Sequence, residues 1–147
     1  MTDTFRFHTP IKVRYNETDM QGHVNFGHYL FYFDAALVEY MDALSYNFQD
    51  LAKDETDFLY IEAHCNYKSP AHWPEVLNAH VRVGHAGDRS LRFEFEVHAE
   101  KDERLVATGH IAAVTVRADN FELRPIPDRL LKAIRDYQGD LPRDPQK

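Results

Sequence analysis

Tyr15-Asn16-Glu17-Thr18-Asp19-Met20-Gln21-Gly22-His23-Val24-Asn25-Phe26-Gly27-His28-Tyr29 joins a strand-like lead-in to a long apolar segment, and the fold turns on how this join is read. Upstream, Ile11, Val13 and Tyr15 alternate with Lys12, Arg14 and Asn16, the period-two pattern of a half-buried first strand. Residues 1–9 read as a loose lead-in, with a short edge strand possible where Phe5 and Phe7 alternate with Arg6 and His8. Downstream, residues 26 to about 44 carry only Asp34, Glu39 and Asp42 as formal charges. A helix this apolar around its circumference is expected to be buried on all sides. Asn25 is its expected N-cap, because the side-chain oxygen can accept a bond from an unpaired N–H of the first turn. Asp19 therefore stands a few residues ahead of a helix amino end, where free N–H groups and the macrodipole favour developing negative charge. The join reads as a carboxylate beside an oxyanion site.

At 147 residues the chain is long enough for one domain with a real core, and 44% hydrophobic with 13% aromatic content excludes a disordered chain. No apolar run approaches the roughly 18 residues of a membrane span. The opening Met1-Thr2-Asp3-Thr4-Phe5-Arg6 lacks the basic-then-apolar order of a secretory signal. Cys65 is the only cysteine, so no intrachain disulfide can form, and a reducing cytoplasmic setting is the expectation. A net charge of −7 without a basic block argues against nucleic acid as a partner.

Residues 46–56 are polar and aperiodic and read as a connection, with a flap as one option. From Phe58 the period changes to two: Leu59, Ile61, Ala63, Cys65 and Tyr67 on one face, Tyr60, Glu62, His64, Asn66 and Lys68 on the other. Pro70 and Pro74 end that strand, since neither can donate to a ladder. Leu77 to Val83 and Leu91 to Ala99 alternate in the same way, with Gly84 and Gly87 marking the bend between them. Residues 104–117 are apolar on both faces, as a central strand requires. Short turns between these last three strands imply antiparallel hairpins. The core spans about 11–117, a terminal helix about 127–137 and a loose tail 138–147. Strand, helix, then four long strands is an α+β layer arrangement.

The chemistry-bearing residues are few. Asp19 is either a loop carboxylate in solvent or a group that attacks an acyl carbonyl or activates water, with backbone N–H groups at Phe26 or Gly27 holding the oxyanion. His23 reads as a hydrogen-bonding loop residue or as a base or substrate contact, and His28 stands close behind it. Nine histidines invite a metal site, yet no His-x-x-x-His or His-Glu-x-x-His spacing occurs, so no metal is expected. Ser45, Ser69 and Ser90 sit in no Gly-x-Ser-x-Gly elbow, and no glycine-rich phosphate loop or dinucleotide fingerprint is present, so no cofactor is expected. Cys65 alternates with apolar residues and reads as buried and inert. Tyr67, Lys68 and Trp73 read as the aromatic edge of the core or as a pocket wall.

The pattern Tyr15-x-x-Thr18-Asp19-x-x-Gly22-His23-Val24-Asn25-x-x-x-Tyr29-x-x-x-Phe33-Asp34-x-Ala36 resembles the hotdog-fold acyl-CoA thioesterases of the 4-hydroxybenzoyl-CoA thioesterase family. Its Gly22-His23-Val24-Asn25 piece is also similar to plant-type acyl-ACP thioesterases of that superfamily. A second, less specific likeness is Tyr67-Lys68-Ser69-Pro70-Ala71, and together they extend over roughly Lys12 to Arg117. The resemblance implies a curled antiparallel sheet of about five strands around the long helix, dimers or tetramers with sites at the dimer interface, and hydrolysis of an acyl-CoA or acyl-carrier-protein thioester. It makes Asp19 the catalytic nucleophile or general base and the Phe26 amide the group that polarises the thioester carbonyl. His23 becomes a catalytic candidate, and Asn25, Gly27, His28, Tyr29, Tyr67 and Lys68 become substrate-binding candidates, with CoA phosphates on scattered cations such as Lys68, Arg82 or Arg89. Close bacterial relatives carry Tyr-His where this chain has Asn25-Phe26, and arginine where it has Leu37, so the acyl pocket and any histidine assistance can differ here. Two rivals stand beside this reading. A hotdog enoyl-CoA hydratase would pair Asp19 with His23, but its Asp-x-Asn-Pro-x-His pattern is absent. A non-catalytic acyl-thioester-binding hotdog protein would have no need of Asp19.

Overall fold

The computed structural model describes residues 4–141. Five strands, β1 (Phe7–Lys12), β2 (Thr56–Tyr67), β3 (Val76–Ala86), β4 (Ser90–Ala99) and β5 (Leu105–Arg117), pair antiparallel in the order β1-β3-β4-β5-β2. Three helices, α1 (His28–Ala43), α2 (Phe48–Lys53) and α3 (Asp128–Gln138), complete the fold. The sheet wraps α1, whose Tyr29, Tyr32, Phe33, Ala36, Leu37, Tyr40 and Met41 are buried. This is the α+β hotdog arrangement.

The alternating strands behave as their pattern requires. Leu77, Ala79, Val81 and Val83 on β3, and Leu91, Phe93, Phe95, Val97 and Ala99 on β4, are all buried in the one hydrophobic core. Phe95 stacks on Phe33 of α1 with ring centroids 4.5 Å apart. On β5, Gly109 sits tight between β2 and α1: a Cβ there would lie 2.2 Å from the His64 carbonyl oxygen and 2.5 Å from the Phe33 ring. Only glycine allows that approach.

Several expectations need correction. The first strand is Phe7–Lys12, not Ile11–Tyr15: Thr9–Ile11 pair with Leu77–Ala79, and Tyr15 instead opens a 3-10 turn, Tyr15–Glu17. The helix begins two residues later than its sequence suggests. Asn25 Oδ1 accepts the Gly27 N–H at 3.0 Å and its carbonyl accepts the His28 N–H, so it closes the turn that leads into α1. α1 is not buried on all sides either: Phe31 is 69% exposed, and Leu30 and Val38 are exposed with it. Residues 46–56 contain α2, whose N-cap Asn47 accepts the Asp50 N–H while Asp50 accepts the Asn47 N–H, a reciprocal capping pair.

β2 holds the least legible feature. A bulge between Tyr60 and Glu62 shifts the register against β5 and breaks the alternation. Tyr60 therefore faces the helix, its hydroxyl donating to Asp34 at 2.7 Å, on the same side as Phe58, Cys65 and Tyr67. Cys65 is half-buried rather than buried, and desolvation raises its thiol pKa. At the carboxyl end, Gln138 is not loose: it closes α3, donates to the Val83 carbonyl at 2.8 Å and accepts from the Val83 N–H and the Tyr40 hydroxyl. Residues 142–147 of the expected tail lie outside the described residues.

Candidate functional site

The loop between the 3-10 turn and α1 is folded by its own backbone. Asp19 N–H donates to the His23 carbonyl at 3.1 Å, Gly22 N–H donates back to the Asp19 carbonyl at 2.9 Å, and Thr18 bridges Val24. Gly22 turns the chain at φ +85, a left-handed conformation that favours glycine. Val24 is then pinned from outside, its N–H donating to the Ala71 carbonyl at 2.9 Å, and His23 bridges His72. The residues after β2 thus form the second wall of a cleft of about 280 Å³.

Asp19, His23, Phe26, Tyr29 and Tyr67 all line this cleft, so one place collects five of the nine candidates. Asp19 is exposed, and its Oδ1 accepts the Gln21 N–H at 2.9 Å. Among the described residues nothing donates to Oδ2, which leaves that oxygen free. The Phe26 N–H likewise has no acceptor among the described residues. The Phe26 carbonyl, by contrast, is fixed by the Tyr67 hydroxyl at 2.9 Å, with the two rings edge-on at 6.5 Å. Tyr29 forms the buried floor and meets the Tyr67 ring at 5.4 Å. Burial pushes the Tyr29 hydroxyl up to about 12, so it stays a neutral phenol at ordinary pH.

The other four candidates take different places. The Asn25 side chain is committed to the Gly27 N–H, which also removes Gly27 as an oxyanion donor. His28 turns toward Phe31, ring centroids 5.7 Å apart, outside the cleft lining. Lys68 is exposed next to Tyr67 but is not part of the wall. Among the proposed phosphate holders, Arg82 is tied to Glu94 at 2.8 Å and lines a separate polar trough. Arg89 borders a larger depression of about 600 Å³ together with Arg92 and Ile61. That depression contains neither Asp19 nor the start of α1, and we assign it no chemistry.

Sequence reasoning missed Gln21, Val24, Ser69 and Pro70 as wall residues. Ser69 and Pro70 belong to the Tyr67–Ala71 motif, which was the signal available. It also missed the clamp behind the wall. Arg104 on the approach to β5 donates to Glu75 at 2.7 Å and to the Pro70 carbonyl at 2.8 Å, while Glu75 accepts the His72 N–H at 2.8 Å. The guanidinium holds the Glu75 carboxyl at about 2. No His, Cys, Asp and Glu cluster suited to a metal occurs among the described residues, and no described helix is long and apolar enough to cross a membrane.

A family model described as the thioesterase-like superfamily matches residues 13–134. Among solved structures, a 1,4-dihydroxy-2-naphthoyl-CoA thioesterase from Synechocystis superposes with a TM-score of 0.81 at 19% identity, covering 88% of this chain and 96% of that one. A DHNA-CoA thioesterase from Staphylococcus aureus gives 0.80 at 22% identity, covering 92% and 96%. A second Staphylococcus aureus protein, a hypothetical protein solved in complex with CoA, gives 0.83 at 15% identity, covering 92% and 85%. At these identities the likeness concerns the fold.

Proposed function

Because the chain belongs to the thioesterase-like superfamily, we propose that it hydrolyses an acyl-CoA thioester to a carboxylic acid and free CoA in the cleft at the start of α1. The observation that carries this reading is the pairing, in one cleft, of a carboxylate oxygen and a backbone N–H that both lack partners among the described residues: Asp19 Oδ2 and Phe26 N–H. A thioester carbonyl directed at the Phe26 N–H gains stabilisation as its oxygen becomes anionic, and the amino end of α1 adds its dipole in the same sense. Asp19 then either attacks the carbonyl carbon, releasing the CoA thiolate and leaving an acyl-aspartyl anhydride for water to cleave, or removes a proton from an attacking water. His23 stands beside it in the lining as a contact for substrate or water. Tyr29 and Tyr67 present an aromatic wall to the acyl group.

The same reading makes the working unit a homodimer. β2 is an edge strand of 12 residues whose outer edge pairs with nothing among the described residues. Ile61 at 63% exposure, with Leu59 and Tyr60 on the strand and Phe31 and Val38 on α1, leaves apolar surface beside that open edge. An edge of this kind is a template for strand pairing, and a second copy of β2 satisfies it.

The test is thiol release from short-, medium- and long-chain and aromatic acyl-CoAs by wild type and Asp19→Asn. Release by wild type with a loss of about a hundredfold or more in the variant supports the assignment. Equal rates sink the Asp19 mechanism, and no release from any thioester sinks the activity.

A further inference from the structure

Glu17 is engaged at its N–H, its carbonyl and one carboxylate oxygen, two residues ahead of Asp19. Its N–H donates to the Arg14 carbonyl at 3.0 Å, and its own carbonyl accepts the Asn25 N–H at 2.9 Å. One carboxylate oxygen, Oε1, accepts both the Arg14 N–H at 2.9 Å and the Tyr32 hydroxyl at 2.8 Å. Tyr32 is 3% exposed on the second turn of α1, so its ring cannot follow a moving loop. Burial, then the Glu17 bond, raises the Tyr32 pKa far above the usual phenol range, which keeps the hydroxyl a donor.

This single residue therefore links three parts: its side chain joins the exit of β1 to the body of α1, and its backbone carbonyl joins the two sides of the Asp19 loop. The Asn25–Glu17 bond closes the base of the loop, and the Tyr32 bond fixes that base to the helix that follows the turn carrying the Phe26 N–H. Together with the Val24–Ala71 bond on the facing wall, these contacts anchor the loop that carries Asp19, and Asp19 itself is held only by bonds within that loop. Glu17 does not line the cleft. It faces a separate groove of about 620 Å³ on the other side of α1, beside Arg14 and Phe31, where water can replace a lost carboxylate.

We infer that Glu17 is a positioning residue that holds the Asp19 carboxylate in register with the amino end of α1 through its bond to Tyr32. The inference rests on the Asp19 reading above. Both donors converge on one oxygen, so a neutral amide oxygen at that point performs the same task. A displacement of the loop by about 1 Å is enough to cost catalysis on the order of a hundredfold.

The experiment is steady-state thiol release from the best acyl-CoA by wild type, Glu17→Ala, Glu17→Gln, Tyr32→Phe, Asp19→Asn and the Glu17→Ala/Asp19→Asn double variant, with the Tm of each. Glu17→Ala is expected to lower kcat about 10- to 100-fold with KM held within about threefold. Glu17→Gln is expected to recover kcat to within about threefold of wild type, and Tyr32→Phe to fall between them. On the Asp19→Asn background, Glu17→Ala is expected to cost less than about twofold, because a group that acts only through Asp19 has nothing left to position. Wild-type kcat in Glu17→Ala, Glu17→Gln as slow as Glu17→Ala, or an undiminished loss on the Asp19→Asn background would each overturn the inference while leaving Asp19 in place. Wild-type rates in Asp19→Asn alone would overturn the catalytic reading, and the inference with it. If Glu17→Ala fails to fold, Tyr32→Phe decides: an unchanged kcat refutes the tether.

Discussion

Replacing Glu75 by Gln changes one charge behind the cleft wall and tests whether the Arg104 clamp stabilises the fold. Glu75 is 10% exposed at its side chain and accepts two bonds from Arg104, at 2.7 and 3.0 Å. Its carboxyl is depressed from 4.5 to about 2, first by the Arg104 hydrogen bonds and then by the His72 N–H against an opposing desolvation. A folded-state pKa below the unfolded one means that the unfolded chain binds more protons, so this contribution to stability is complete above about pH 4.5 and is lost as pH falls toward 2. Its ceiling is about 3 kcal/mol, and Arg104, 27% exposed and shared with Asp102, brings the expectation to about 2 kcal/mol at pH 7. Trp73, the only tryptophan, lies in the clamped segment, so its fluorescence reports urea unfolding directly. At fixed protein concentration the gap between wild type and Glu75→Gln should be about 2 kcal/mol at pH 7 and shrink steadily between pH 4.5 and 2.5. Both proteins lose stability over that range through other carboxylates, so the difference is the quantity read. A gap that is absent at pH 7, or constant down to pH 2.5, would refute the assignment of the depression to this pair.

Two further expectations follow from the packing. Gly109→Ala places a methyl 2.2 Å from the backbone oxygen of His64, which cannot yield as a side-chain tip would, and a loss of about 2 kcal/mol or more in chemical denaturation is expected. Ile61→Asp puts a carboxylate on the open edge of β2; sedimentation should show a shift toward the 17.2 kDa monomer with loss of thiol release, and an unchanged assembly would remove β2 as the interface.

The sequence by itself determined the layer order, the inward faces of β3 and β4 and the α3 segment from local periods that the chain carries in plain view, and the interior place of β5 from a run apolar on both faces. Leu91 to Ala99 can bury one face only in one register, and Leu130, Leu131 and Ile134 can share a buried stripe only as a helix. The resemblance at residues 15–36 and 67–71 was legible for the same reason, as residue types at fixed spacing. What tertiary structure decided is whatever depends on a partner distant in the chain. The β2 bulge turned Tyr60 toward Asp34, 26 residues away, and no local signal marks it. Arg104 reached back to Pro70 and Glu75, and Gln138 to Tyr40 and Val83, so polar residues that read as surface became fixed points. Within the site, the Asn25 side chain took the Gly27 N–H and left Phe26 as the donor without an acceptor among the described residues. Sequence spacing placed all three within reach of the substrate, but only the folded hydrogen-bond pattern shows which N–H remains unpaired. The apolar circumference of α1 likewise promised burial on all sides, yet one sheet can cover only one face of a helix, and Phe31 and Val38 stay exposed beside an open strand edge.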